Sequence, residues 1–193
     1  MKFVVLADDL TGAIATGSVL CSLIGVGKII TLDFQKVNKE LMNSFDCLCV
    51  NIGTREKSAV EVRRRLERSL EFFEKKCPYA LRIDGLLRGP IKPEIECILE
   101  KNDVLLTDTV PEFGRFTESG IVKLTDGFIN LVPLATNLRA YGENYGHKFV
   151  VADSKTYRDL ERLAKVCITR GMVPVDPGPL IAYVAREVML EQR

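Results

Sequence analysis

The sequence predicts an α/β protein of three layers, a mostly parallel central sheet flanked by helices. Two observations carry that expectation. Seven short apolar runs each end in an acidic or amide residue: FVVLAD at Asp8, IITLD at Asp33, CLCVN at Asn51, ALRID at Asp84, VLLTD at Asp108, FVVAD at Asp153 and VPVD at Asp176. Between most of them lie stretches with helical spacing of apolar residues, the alternation of βαβ units. In such a sheet the carboxyl ends of the strands form the ligand-binding edge. The chain therefore lines one edge with carboxylates, and its function is sought there.

The elements follow in order. A first strand covers 3–7, and a helix begins near Gly12 or Ala13 and runs to about Ile24, closed by Gly25 and Gly27. Strands two and three cover 28–32 and 47–52. A long amphipathic helix over 57–76 puts Val62, Leu66, Leu70 and Phe73 on one stripe. Its charge run EVRRRLER is interleaved with Glu61, Glu67, Glu71 and Glu74, so it reads as a solvated face rather than a nucleic-acid patch. Strand four is 79–83, a helix presenting Ile95, Ile98 and Leu99 is 93–101, and strand five is 104–107. Residues 111–127 hold three glycines and form a loop or hairpin region with one strand candidate, IVKL; residues 131–142 predict a short helix. Strand six at 149–152, a helix at 157–170 burying Leu160, Leu163, Ala164 and Val166 or Cys167, strand seven at 172–175 and a last helix using Leu180, Ile181, Val184, Val188 and Met189 complete the chain.

Composition narrows the function classes. The 193 residues suit one α/β domain spanning 1–193. A net charge of +1 removes bulk electrostatics as a route to nucleic acid or an anionic membrane. The opening MKFVVL is interrupted by Asp8 and Asp9, so it reads as a strand rather than a signal peptide, and no apolar run reaches membrane-span length. The cytoplasm is the expected location. Cysteines at 21, 47, 49, 77, 97 and 167 form no CxxC pair or Cys/His cluster, and His147 is the one histidine, so thiols without a metal are expected. There is no GxxxxGK[ST] loop, no GxGxxG in the right context and no nucleophile–histidine triad.

Four turns at the predicted edge carry candidate chemistry. In the first, Asp8 and Asp9 precede Thr11, Gly12 and a helix N-terminus. Adjacent carboxylates must be solvated, paired or bound; they suit ligand hydroxyls, while the helix end suits an anion. Thr11 is the expected cap and Gly12 the place where a ligand approaches the backbone. The second is Arg82-Ile83-Asp84-Gly85-Leu86-Leu87-Arg88-Gly89, where arginine forks match a carboxylate or phosphate and Arg88 is the favoured anion contact. The third places Gly114 and Arg115 after strand five; the fourth is Asn51-Ile52-Gly53-Thr54-Arg55. Together they surround one crevice with hydroxyl-binding acids and carboxylate-binding arginines. A small polyhydroxy acid uses both sets.

These segments resemble, in order and spacing, the four-carbon acid-sugar kinase family: ADDLTGA at 7–13, NIGTR at 51–55, RIDGLLRG at 82–89, PEFGRFTESG at 111–120 and VVADSKTYRDLERLA at 150–164. The resemblance spans about residues 3 to 185 and covers the N-terminal, sugar-binding domain. It implies a kinase acting on acids such as threonate or erythronate, with ATP held mainly by a C-terminal domain absent from this chain. The chain departs from the family pattern in four places. Gly85 and Leu86 stand where the family carries a Ser-Thr pair, Arg82 replaces a usual Lys, Asp108-Thr109-Val110-Pro111 replaces PAFP, and Thr16 replaces a common Asp.

The expected function is binding of a small sugar acid as part of an ATP-dependent kinase completed by a separately encoded nucleotide-binding domain. This chain is not expected to phosphorylate alone. ATP and Mg²⁺ enter only through that partner, and a homodimer alone would not supply their site. Two alternatives stay open: a non-catalytic small-acid binding or regulatory module, and a small hydrolase or isomerase using Asp8 and Asp84 as acid and base.

Overall fold

In the computed structural model, which describes residues 1–24, 27–73, 77–125, 136–143 and 146–191, the seven apolar runs pair into one sheet. Its strands are β1 (Phe3–Ala7), β2 (Ile29–Asp33), β3 (Cys47–Asn51), β4 (Tyr79–Arg82), β5 (Val104–Leu106), β8 (Phe149–Val151) and β9 (Val173–Asp176). Their order is β2-β3-β1-β4-β9-β5-β8, and every pairing is parallel. A separate antiparallel hairpin joins β6 (Arg115–Glu118) to β7 (Ile121–Leu124).

Alternation along the strands sends side chains to two cores. Val4 and Leu6 of β1 and Leu48 and Val50 of β3 meet α3 (Ala59–Phe73) through Leu66, Leu70 and Phe73, and α4 (Ile91–Leu99) through Ile91, Ile95 and Ile98. Phe3, Val5, Cys47, Cys49 and Ala80 face the other way. They meet α1 (Leu10–Ile24) at Ala13 and Leu20, α5 (Tyr157–Arg170) at Leu160 and Ala164, and α6 (Pro179–Glu191) at Leu180 and Ile181. Helices thus cover both faces, as an all-parallel sheet requires.

The connections define where a ligand belongs. From β1 the chain crosses by α1 to β2 on one side of the sheet; from β4 it crosses by α4 to β5 on the other. Adjacent strands whose connections diverge leave a crevice at their carboxyl ends. Register brings chemistry to that level: Asp33, Asn51, Ala7, Arg82 and Asp176 are successive partners across β2, β3, β1, β4 and β9.

Several expectations are corrected. The first helix starts at Leu10, before the Gly12 or Ala13 expected. A short α2 (Lys39–Ser44) was invisible to periodicity because six residues make under two turns; Asn38 caps it by accepting from Leu41 N at 2.9 Å. The 111–127 region contains β6 as well as the expected IVKL strand, and it folds back: Thr117 and Ser154 exchange backbone hydrogen bonds, and Val122 is buried. Of the helix expected at 131–142, residues 131–135 lie outside the described residues and Leu138–Tyr141 is a 3₁₀ turn. The closure of α1 at Gly25 also lies outside them. The 157–170 helix has the bounds expected, because Thr156 and Asp159 form a capping box and Gly171, at φ 63°, ends it.

Candidate functional site

The turns after β1, β3 and β4 converge. Asp8 and Asp9 follow β1. The backbone N–H groups of Thr54 and Arg55 both donate to the Asp8 carbonyl, at 3.0 and 3.1 Å, which clips the β3 turn against them. That turn is closed by Asn51, whose Oδ1 accepts from Gly53 N at 2.9 Å, and Gly53 supplies the φ of 64° it needs. After β4, Asp84 accepts from the backbone of Arg88 at 3.1 Å, and Leu87 sits at φ 56°. A leucine in the left-handed region is strained, a condition found often at binding turns.

Three acids and three arginines meet here. Arg55 hydrogen-bonds Asp8 through Nε, and its Nη2 lies 3.2 Å from Asp9 and 3.5 Å from Asp84. Arg82 Nη1 lies 3.5 Å from Asp8 and 3.7 Å from Asp9. Arg88 grips Asp84 through Nε at 2.5 Å and Nη2 at 3.2 Å, while 62% of its side chain stays exposed. The charges cancel: Asp8, Asp9 and Asp84 against Arg55, Arg82 and Arg88. Hydrogen bonding does not close so neatly. Asp8 Oδ1 and Arg55 Nη2 are buried within ion-pair distance of partners, yet neither makes an aligned hydrogen bond. Unmet buried capacity of this kind is uncommon and marks a place where a ligand can complete the network.

The acids are driven apart in proton affinity. Burial raises the Asp8 carboxyl against the opposing pull of Arg55 and Arg82. Burial also acts on Asp84, but the hydrogen bonds from Arg88 and the charge of Arg55 outweigh it and lower that carboxyl.

Two expected roles change. Thr11 does not cap α1. Asp9 does, its Oδ1 accepting from Gly12 N at 2.6 Å, because the helix begins earlier and leaves Thr11 exposed on its first turn. Gly12 does make room for a close approach, but the occupant is protein: a Cβ there would stand 2.0 Å from Arg82 Nη1. Gly114, at φ 60°, ends the 3₁₀ turn Pro111–Phe113 and does not touch the charge cluster. Arg115 lies beside it rather than in it. Its Nε is 2.8 Å from Asp108 Oδ1 without hydrogen-bond alignment, and its Nη2 approaches the β4 turn so closely that a Cβ at Gly85 would meet it at 2.8 Å.

Three buried acids escaped the sequence reading as site residues. Glu94 is fully buried, accepts from Thr54 Oγ1 at 2.5 Å, and is raised by burial to about 8. Asp108 is raised by burial to about 7, opposed by Arg115. Asp176 is raised by burial to about 6 although it accepts from the backbone of Gly178, Leu180 and Ile181, capping α6. Asp108 and Asp176 were visible as run-ending carboxylates; Glu94 carried no signal beyond its place in an apolar helix. Among the described residues no three His, Cys, Asp or Glu side chains are grouped to hold a metal ion. Nor is any helix among them long and apolar enough to cross a membrane.

Comparison with known proteins now adds to the geometry. A D-erythronate kinase from Heliobacterium modesticaldum is 28% identical over 236 aligned positions, covering 96% of this chain and 53% of that protein. A Bordetella bronchiseptica structure described as a domain of unknown function (DUF1537), with bound citrate and as a domain-swapped dimer, shares the fold at a TM-score of 0.81 and 18% identity. It covers 100% of this chain and 57% of that one. A Haemophilus influenzae structure of the same family model matches at a TM-score of 0.75 and 18% identity, over 96% of this chain and 56% of that one. The chain thus spans a little over half the length of these relatives. The model of the sugar-binding N-terminal domain matches residues 3–141, most of the chain. The chain belongs to that family and is an N-terminal domain of the four-carbon acid-sugar kinase type.

Proposed function

We propose that this chain binds a four-carbon sugar acid in the crevice between β1 and β4, as the substrate-binding part of an ATP-dependent acid-sugar kinase. The observation that carries this reading is the convergence of Asp8, Asp9, Arg55, Arg82, Asp84 and Arg88 from three turns at the divergence of the strand connections. Arg88 is the exposed member, so it can leave Asp84 for a ligand carboxylate at small cost. The freed oxygens of Asp84, with Asp9 and the unsatisfied Asp8 Oδ1, then accept hydroxyl hydrogens. A kinase homologue and a sugar-binding family model support the substrate class.

Phosphoryl transfer is chiefly positioning and charge neutralisation around a nucleotide and its metal. The described residues offer no triphosphate cradle and no grouped metal ligands, so they do not fit ATP or Mg²⁺. We assign both to a nucleotide-binding domain outside these residues. We also propose a cytoplasmic location, where ATP is at hand, and a homodimer on the precedent of the domain-swapped Bordetella protein; light scattering after gel filtration tests the dimer, and cell fractionation the location.

The test is calorimetric titration of the chain with erythronate and threonate, followed by ADP-release assays with the nucleotide-binding domain added. Saturable binding that Arg55→Lys weakens, with turnover only in the presence of the partner, is expected. No binding of either acid up to about 10 mM, far above ordinary KM values, together with no turnover when the partner is present, overturns the reading. Binding without turnover selects a non-catalytic module, which the missing hydroxyls at Gly85 and Leu86 would favour.

A further inference from the structure

On the far side of the 51–55 turn lies a cavity of about 260 Å³. Its floor is the carboxyl ends of β2 and β3, at Asp33 and Asn51; its walls are residues 34–36 and the α3 positions Arg64, Arg65 and Arg68. No member of the Asp8–Arg55–Asp84 cluster lines it.

Its cations fall into two groups. Arg65 is structural: Nη1 donates to the carbonyls of Ile52 and Gly53 at 3.3 and 3.2 Å, and Nε to Glu61 at 2.7 Å. Arg64 holds the same Glu61 carboxylate through two bonds of 2.8 Å. Lys36 and Arg68, by contrast, have no carboxylate within ion-pair distance among the described residues, and both are exposed. Arg68 instead lies over the Phe34 ring, 5.8 Å from its centroid, which holds the guanidinium at the cavity wall. Four positive side chains and one acid, Asp33, line the cavity; with Glu61, which pairs with Arg64 and Arg65 from outside the lining, a surplus of two positive charges is left. One Asp33 oxygen accepts from Asn51 Nδ2 at 2.7 Å; the other has no protein donor among the described residues.

We propose that this cavity is a second small-molecule site, for a phosphate monoester that carries hydroxyl groups. The compact dianionic phosphate matches Lys36 and Arg68, which have no acid of their own. A ligand hydroxyl donates to the free oxygen of Asp33. That same carboxylate repels a second carboxylate on the ligand, so a dicarboxylic acid fits less well. The site stands independently of what occupies the β1/β4 crevice, although only three residues of one turn separate Asn51 from Arg55.

The probe is glycerol 3-phosphate, titrated calorimetrically into the whole chain, with inorganic phosphate, glycerol and malate as comparisons. One saturable site is expected, tighter for glycerol 3-phosphate than for phosphate or malate and absent for glycerol. The double variant Lys36→Ala/Arg68→Ala, changed only at exposed positions, should bind about tenfold more weakly or worse, while Arg88→Ala in the crevice binds as the wild type does. Circular dichroism checks that both variants are folded. Absence of saturable binding overturns the proposal, as does undiminished binding by the double variant. Loss of binding in Arg88→Ala places the ligand in the crevice and overturns it equally. Phosphate binding as tightly as the ester would remove the part assigned to Asp33.

Discussion

The crevice after β1 and the cavity after β2 are neighbours on one sheet edge, yet they use arginine in opposite ways. In the crevice each guanidinium has a carboxylate partner and the sum of charge is zero. In the cavity Lys36 and Arg68 have none among the described residues. Charge density is therefore a poor guide to anion binding; the surplus after pairing is the useful quantity. A compensated cluster accepts a ligand by exchanging partners, whereas an uncompensated one accepts it by neutralisation.

The comparison breaks most visibly at Asp8. It is buried and engages Arg55 and Arg82 together, so Asp8→Ala removes the most buried partner of both guanidiniums and leaves Arg55 to Asp9 and Asp84 and Arg82 to the longer contact with Asp9. A loss of about 3–5 kcal/mol in urea unfolding is expected; a loss below about 1 kcal/mol would show that water already compensates the pair. Glu94 sharpens the same point through pH. Its folded-state carboxyl is raised to about 8 from 4.5, so the folded protein keeps a proton that the unfolded chain releases above about pH 4.5. The stabilisation is whole below that point and is lost as pH climbs through about 8. Glu94→Gln should flatten this fall, read as unfolding free energy at about pH 5 and about pH 8.

Smaller effects follow at the glycines. Gly12→Ala places a methyl 2.0 Å from Arg82 Nη1 and 2.9 Å from its Cδ, so the side chain must leave Asp8; about 1–3 kcal/mol is expected, with Arg82→Ala suppressing most of it. Gly85→Ser meets only the end of Arg115, at 2.8 Å, which can swing aside. It should cost about 1 kcal/mol or less and, by restoring a hydroxyl, tighten sugar-acid binding in the calorimeter. The least effect belongs to the cavity: Arg68→Ala should alter stability by no more than about 0.5 kcal/mol, since a stacked, exposed cation without an acid contributes little to the fold.

How far the sequence revealed this depends on the range of the forces involved. Run-ending acids, and the amide Asn51 after β3, marked all seven strands of the sheet, because an all-parallel sheet needs apolar strands and its polar residues gather where they stop. The turns holding Asp8, Arg55 and Asp84 were legible for the same reason. Thr11 misled because capping depends on where the helix starts, and Asp9 competes for the same N–H groups. Glu94 was hidden because its partner Thr54 lies forty residues earlier, a contact that only the packing of α4 beneath the β3 turn creates. The surplus at Lys36 and Arg68 was masked because Glu61, Glu67 and Glu71 are interleaved with the arginines of α3 along the chain, though not around the cavity.

One row of the sheet has a longer reach. Asp33, Asn51, Arg82 and Asp176 stand level because the backbone ladder fixes them there, whatever the side chains are. Asp33 and Arg82 can therefore be exchanged without moving the strands that carry them, whereas Asn51, which closes the β3 turn, and Asp176, which caps α6, are tied to the course of the chain as well.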